Sequence, residues 1–314
     1  MVRVFIDGSA GTTGLRIRER LSARRDVELI GLTDAQRKET EARRDALNRA
    51  DVAFLCLPDA AAVEAVAMIE NDRTAVIDTS TAHRTAPGWV YGFPEVNGLR
   101  ERIRQSKRIA NPGCHASGFI ALIAPLVRAG LVDASAQLSC FSLTGYSGGG
   151  KKMIAEYEGA GRNPLLDAPR QYGLTQRHKH LPEMAAVTGL NEPPCFCPIV
   201  ADFYSGMEVT VPLFPGQLRC GKHPVEEITS ALREHYFGSP VGKVLDAEEA
   251  AALNGFAAAN ALSGLDGMEL MVLGNDERLQ LVARFDNLGK GSSGAALQCL
   301  NLMLGAPETL GLNL

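Results

Sequence analysis

The stretch N-P-G-C-H, Asn111 to His115, sets a cysteine between a proline–glycine pair and an apolar run, Ala116 to Val127, that reads as a helix. A thiol at such a junction faces unpaired backbone N–H groups and the positive end of a helix dipole, and both raise its thiolate fraction at neutral pH. Gly113 leaves room for a substrate to approach and Pro112 fixes the path of the chain. Cys114 is therefore a candidate nucleophile, with a small buried filler as the alternative. The other cysteines lack this setting. Cys56, Cys140 and Cys299 lie in apolar runs and read as core, and Cys195 and Cys197 form a C-x-C that is poor spacing for a structural zinc site.

A nucleophile needs a base, and Q-R-H-K-H-L-P-E-M, Gln176 to Met184, offers two imidazoles. In extended backbone His178 and His180 point to the same side. Pro182 and Glu183 suit the first turn of a helix running through Val187, and a histidine just ahead of it is biased toward the neutral form that a general base requires. Glu183 can orient that base or hold a substrate group. A metal pair is the rival reading, although no third ligand is fixed by spacing. Arg84, after the fourth strand, can clamp a phosphate or carboxylate bidentately or serve a structural salt bridge. The loop T-G-Y-S-G-G-G-K-K, Thr144 to Lys152, can present backbone N–H groups and the Lys151 and Lys152 charges to an anion, or be a flexible turn. His83, His223 and His235 carry no comparable context.

These groups must be held by a scaffold. Val2 to Ile6 reads as a strand, D-G-S-A-G-T-T-G as a glycine turn and Leu15 to Leu21 as a helix, the unit that sets a pyrophosphate on a helix N-terminus. Strands at Val27 to Leu32, Val52 to Leu57 and Ala75 to Ile77 alternate with helical segments, which predicts a doubly wound, Rossmann-type α/β sheet with Leu57 and Pro58 at its carboxyl edge. Asp34 stands where an acid meets the ribose of NAD, and Arg37 and Lys38 where a cation meets the 2′-phosphate of NADP; the pattern is a draw. Beyond Cys114, strands at Leu138 to Leu143, Phe196 to Val200 and Met207 to Leu213, and a hairpin of Glu269 to Leu273 with Leu279 to Phe285, predict an α+β domain with a mixed sheet. The apolar tail, Gly294 to Leu304, predicts a buried helix that packs on the nucleotide domain. The domains expected are 1–113, with 290–314 returned to it, and 114–289.

The chain has 314 residues, 46% of them hydrophobic, enough for two cores. A formal charge of −4 with dispersed Lys and Arg excludes a nucleic-acid footprint. No apolar run is long enough to cross a bilayer, and seven irregularly spaced cysteines do not form a disulfide framework. A soluble protein of a reducing cytoplasm is the simplest account.

The segments G-S-A-G-T-T-G-L, L-C-L-P-D, D-T-S-T-A-H-R, G-W-V-Y-G-F-P-E, N-P-G-C, G-Y-S-G-G-G-K, H-K-H-L-P-E and D-N-L-G-K-G-S-S-G follow one another across nearly the whole chain. Together they resemble the N-acetyl-γ-glutamyl-phosphate reductases of arginine biosynthesis, in their compact second subtype, and more broadly the aspartate-semialdehyde dehydrogenase superfamily. Against the larger subtype, Ala82-His83 precedes Arg84 where an acid and an aromatic are usual, and His115 follows the cysteine where tyrosine is common.

The resemblance implies NADP as cofactor, tipping the draw toward Arg37 and Lys38. It also implies cofactor contacts at Gly8, Ser9, Gly11, Thr12, Thr13, Gly14, Leu57, Pro58, Ser80, Asn287 and Gly291. Cys114 would attack an acyl phosphate to give a thioester that NADPH reduces to the semialdehyde, with His180, or His178, as base. Arg84, Ser147, Gly148, Lys151, Arg177 and Glu183 would meet the substrate. The implied assembly is a homodimer or homotetramer formed through the second domain. A reductase of another acyl phosphate, a cysteine hydrolase and a non-catalytic NADP-binding protein are the alternatives.

Overall fold

The computed structural model describes residues 1–96 and 98–314, which divide into two units. The first holds Met1–Pro94, Gly98–Pro112 and Ser292–Leu312, and the second is built on Gly113–Gly291.

The first unit runs β1 (Val2–Asp7), α1 (Thr12–Ser22), β2 (Val27–Ile30), α2 (Thr40–Arg49), β3 (Val52–Leu55), α3 (Asp59–Ala67), β4 (Ala75–Asp78), β5 (Val90–Tyr91), α4 (Leu99–Gln105) and β6 (Arg108–Ala110). Its six strands lie in the order β2-β1-β3-β4-β6-β5, every neighbouring pair parallel. A parallel sheet covered on both faces needs apolar strands, and β3 and β4 bury every residue. On one face Phe5, Ala53, Leu55 and Val76 pack with Ala46 and Leu47 of α2 and Ala62 and Ala65 of α3. The small alanines let the helices approach closely. Strand order reverses between β1 and β3, so the loops that follow these strands part and leave a crevice at the carboxyl edge. β2 and β3 each stop two residues short of the predicted ends. At β3 the reason is Pro58, which has no N–H for the ladder and instead starts α3.

The second unit runs α5 (Cys114–Arg128), β7 (Ser139–Gly145), α6 (Gly150–Glu158), β8 (Arg170–Gln171), α7 (Leu181–Thr188), β9 (Cys195–Ala201), β10 (Met207–Leu213), α8 (Pro224–Tyr236), β11 (Gly242–Val244), α9 (Ala247–Ala251), β12 (Met268–Asn275) and β13 (Arg278–Phe285). Seven strands form a mixed sheet, β11-β12-β13-β10-β7-β9-β8, in which β7/β9 and β11/β12 are parallel and the other pairs antiparallel. α5 and α8 lie on one face. Every residue of α5 from His115 to Leu126 is buried, so the helix is apolar all round because it is a core element. It lies so close to the sheet that a Cβ on Gly118 would stand 2.5 Å from Cγ2 of Val209. The opposite face leaves Phe141, Leu143, Cys197, Ile199 and Pro212 exposed or half-exposed.

The segment read as a glycine loop folds further than expected. Tyr146–Gly149 forms a tight turn and α6 starts at Gly150, where φ is +70°, so Lys151 and Lys152 occupy the first turn of a helix. Glycine makes the turn, and K-K-M-I-A-E-Y-E is a sound helix former once it is made.

The tail helix α10 (Gly294–Met303) belongs to the first unit, where it packs on α4 and β4. Arg24 donates to Oδ1 of Asn301 at 2.5 Å, and the Cys299 thiol to the Gly92 carbonyl at 3.3 Å.

Candidate active site

In the first unit the crevice is a cavity of about 510 Å³ whose lining includes Gly8, Ser9, Arg18, Arg37, Arg43 and Leu57. Its floor is the turn after β1. Gly8 has φ +84°, and a Cβ there would fall 2.2 Å from the Cys56 carbonyl oxygen; a Cβ on Gly14 would fall 2.4 Å from the Gly8 oxygen. The Gly11 N–H closes the turn on that same oxygen at 3.0 Å, and Thr12 and Thr13 open α1. Thr13 Oγ1 lies 3.0 Å from the Ser292 hydroxyl. Asp7, at the end of β1, is buried and doubly bonded by Arg43, at 3.1 and 2.9 Å. Asp34 and Arg37, the rival candidates for ribose and 2′-phosphate, are paired to each other at 2.9 Å, and Lys38 is exposed. Arg18, Arg37 and Arg43 outnumber the carboxylates of Asp7 and Asp34 that pair with two of them, and with a turn that admits no Cβ at Gly8 or Gly14 they suit a phosphorylated dinucleotide.

Beyond β4 the chain folds around Asp78. Its carboxylate accepts from the Ser80 N–H at 2.9 Å and the Ser80 hydroxyl at 2.7 Å, and meets His83 Nδ1 at 2.6 Å. His83 stacks on Trp89 with ring centroids 4.0 Å apart. Arg84 donates to the carbonyls of Asn111 at 3.0 Å and Thr79 at 3.3 Å. Leu57 and Pro58 stand at the turn into α3. Burial holds the Cys56 thiol up at about 12, with the nearby charges of Asp78 and Asp7 adding to the effect.

In the second unit Cys114 is the first residue of α5 and half-buried. Gly113 caps the helix, and its N–H donates to Oε2 of Glu183 at 3.1 Å. Glu183 is buried in the first turn of α7, and His180 occupies the cap position of that helix. A Cβ on Gly291 would come within 3.0 Å of the Cys114 Cβ, so that glycine backs directly on the nucleophile candidate.

Around the next residue, His115, an aromatic cluster closes. Its ring centroid lies 5.8 Å from that of His178, 5.6 Å from His180 and 5.4 Å from Phe196, and His178 and His180 are 4.7 Å apart. His115 Nδ1 lies 2.6 Å from the Ser142 hydroxyl and Nε2 2.6 Å from the Tyr172 hydroxyl. Burial above all depresses His115 to about 3, and the neighbouring His178 and Lys179 act in the same direction. Burial, and next the negative charge of Cys114, raises Tyr172. The histidine segment is clamped to β9 by Gln176, at φ +56°, whose side chain accepts from the Phe196 N–H at 2.9 Å and donates to its carbonyl at 2.7 Å.

The remaining candidates are scattered more widely. Ser147 is buried and accepts from the Asn287 amide at 3.1 Å, while Asn287 Oδ1 accepts from the Gly206 N–H at 2.9 Å. Gly148, Lys151, Lys152 and Arg177 are exposed. The second unit thus gathers Cys114, His178, His180 and Glu183, with Ser147, Asn287 and Gly291, whereas Arg84 and the glycine turn belong to the first unit. Sequence reasoning missed Ser142, Tyr172 and Gln176, and treated His115 only as a departure from a pattern. The i, i+2 spacing of Ser142 from Cys140 on a strand was the available signal for an inward Ser142. Among the described residues no group of three or more His, Cys, Asp or Glu is arranged to hold a metal ion, and no helix is long and apolar enough to cross a membrane.

Comparison with known proteins bears on both units. Residues 3–106 match the family described as semialdehyde dehydrogenase, NAD binding domain, and residues 114–287 the semialdehyde dehydrogenase dimerisation domain. Among curated relatives, an N-acetyl-gamma-glutamyl-phosphate reductase of Brucella ovis is 46% identical, covering 96% of this chain and 99% of its own. An N-acetyl-gamma-glutamyl-phosphate reductase 2 of Nostoc is 44% identical, covering 99% of both. Among solved structures, aspartate semialdehyde dehydrogenase II of Vibrio cholerae superposes with a TM-score of 0.69 over 97% of this chain and 98% of its own, at 16% identity, a likeness of fold.

Proposed function

The chain belongs to the semialdehyde dehydrogenase family, and from that premise we propose that it is an N-acetyl-γ-glutamyl-phosphate reductase, converting the acyl phosphate to N-acetylglutamate 5-semialdehyde with release of phosphate. Its cofactor is NADP, held by the glycine turn of Gly8, Gly11 and Gly14 with the 2′-phosphate toward Arg37 and Lys38. When bound, NADPH supplies the hydride that reduces the acyl carbon.

The chain's own residues do the rest. The Cys114 sulfur attacks the acyl carbon; the C–S bond forms, the C–O bond to phosphate breaks, and phosphate leaves with the bonding pair. After reduction the C–S bond breaks, the sulfur keeps its electron pair, and the aldehyde departs. The N-terminus of α5 favours negative charge both on that sulfur and on the oxygen of the tetrahedral adducts. His180 takes the thiol proton. His178 is the less suitable base, because its Nδ1 accepts the His180 N–H at 3.2 Å and its proton therefore sits on Nε2. Glu183 fixes Gly113 ahead of the nucleophile, and Lys151 and Lys152 are the cations assigned to the departing phosphate. The open face of the seven-stranded sheet, with Phe141 and Ile199, is the surface on which a second copy would form a homodimer. We place the enzyme in the cytoplasm, where its cysteines stay reduced; no disulfide is formed among the described residues.

The observation that carries this reading is a cysteine opening a helix next to a cluster of three imidazoles. The test is phosphate-dependent NADP reduction with N-acetylglutamate semialdehyde against aspartate semialdehyde. Preference for the first is expected, with Cys114→Ser reducing turnover by roughly 10³-fold or more while still binding NADPH. Equal or better turnover of aspartate semialdehyde would move the chain to a sister activity.

A further inference from the structure

The hydroxyl of Ser142 is fully buried on β7, and its sole hydrogen-bond partner among the described residues is Nδ1 of His115. An O–H buried with one acceptor in reach donates to it, because leaving the donor unmade costs more than the bond returns. Nδ1 of His115 is then an acceptor. A neutral imidazole carries one proton, which must sit on Nε2 and point at the Tyr172 oxygen 2.6 Å away. Tyr172 accepts that bond and still holds its own proton, since its phenol is raised above its ordinary range. That proton has no hydrogen-bond acceptor among the described residues, and the hydroxyl stands 2.6 Å from the ring of the residue that follows Cys114 at the start of α5, where charge on the sulfur bears on it. The direction of the chain of bonds is fixed from the buried end outward.

We propose that His115 is a positioning residue: it receives the Ser142 proton at Nδ1, gives its own from Nε2 to Tyr172, and so turns the Tyr172 O–H toward the sulfur and the oxyanion formed at Cys114. No proton changes hands. The bridge works because His115 stays neutral in the working range, held so chiefly by its burial. The rings of Phe196, His178 and His180 pack around it and leave it one orientation. The role at the oxyanion rests on Cys114 being the nucleophile, as proposed above.

The test compares His115→Phe, His115→Gln, Tyr172→Phe and the His115→Phe/Tyr172→Phe double variant. Glutamine carries one acceptor and one donor group and can span the same two hydroxyls. Loss of one oxyanion donor predicts kcat about 10- to 100-fold lower in His115→Phe and in Tyr172→Phe, with KM little changed. The double variant should be no slower than Tyr172→Phe alone, because both remove the same bond. His115→Gln should recover most of the rate. Multiplying losses in the double variant, or a glutamine variant as slow as phenylalanine, would overturn the proposal. A second readout does not depend on turnover: the pH midpoint for iodoacetamide labelling of Cys114, followed on its own peptide, should rise in Tyr172→Phe and His115→Phe and stay in place in His115→Gln. Unmoved midpoints in the first two would count equally against it. Tyr172→Phe keeps the ring and its packing, so a fold too weak to survive His115→Phe leaves the labelling result decisive. Activity retained in Cys114→Ser would instead strike at the nucleophile itself, which the labelling midpoints do not presuppose.

Discussion

The backbone N–H of His180 donates to Nδ1 of His178 at 3.2 Å, so of two imidazoles two residues apart one has its tautomer set by the other's backbone. With Nδ1 occupied as an acceptor, neutral His178 presents a proton, not a lone pair, from Nε2. The two histidines are therefore unequal. His180→Gln is expected to lower kcat by about 10²- to 10⁴-fold, the span of general base catalysis, and His178→Gln by about tenfold. Steady-state rates for the two variants at neutral pH check this, and the reverse ranking would exchange their roles.

His115 also leaves a mark on stability. Its folded value near 3 lies below the ordinary 6.5, so between those limits the unfolded chain binds more protons than the folded one. The stabilisation is whole above pH 6.5 and is lost as pH falls toward 3. The slope contributed by this one group is up to about 1.4 kcal/mol per pH unit. Urea unfolding between pH 7 and pH 5, where depressed carboxylates such as Asp51 scarcely titrate, should show that slope in the native protein and a shallower one in His115→Gln.

Two glycines of the same turn should answer differently to alanine. At Gly8 a Cβ meets the Cys56 carbonyl at 2.2 Å and the backbone is left-handed, whereas at Gly11 the nearest atom is 3.4 Å away. Gly8→Ala is expected to cost about 2 kcal/mol or more and to abolish NADPH binding, and Gly11→Ala to fold with less than about 0.5 kcal/mol lost. Thermal melts with and without NADPH separate the two.

Thiol labelling under native conditions offers a map of the cysteines. Cys56, held near 12, and Cys140, pushed higher still by burial, should stay unmodified at pH 7.5, while exposed Cys195 and half-buried Cys114 react. Peptide-resolved mass spectrometry gives the answer directly. Cys56 is half-buried like Cys114, so its early modification would count against a thiol held that high.

Much of this was legible in one dimension. The apolar runs of β1 and β3, the glycine turn and the hairpin of β12 with β13 carry their own local signals, and the cysteine at a coil-to-helix junction announced α5. What stayed hidden depends on distant pairing. β5 has two residues and β6 three, too few for any periodicity to register. The parallel partnership of β7 with β9 joins segments separated by α6, β8 and α7. Tyr172 and Ser142 reach His115 across 57 and 27 positions of chain, and neither sits in a spacing that suggests chemistry. Arg43 and Asp7 read as a surface charge and a turn acid until folding buries them against each other.

One contact has a wider meaning. The Glu183 carboxylate grips Gly113, so the helix that begins with the sulfur and the helix that begins beside the imidazole share a bolt at their first turns. Thermal jostling of either helix is passed to the other through that bond, so Cys114 and His180, the groups proposed as nucleophile and base, shift together. On the proposed mechanism, cutting that bond in Glu183→Ala would loosen the seating of both groups while leaving each side chain intact.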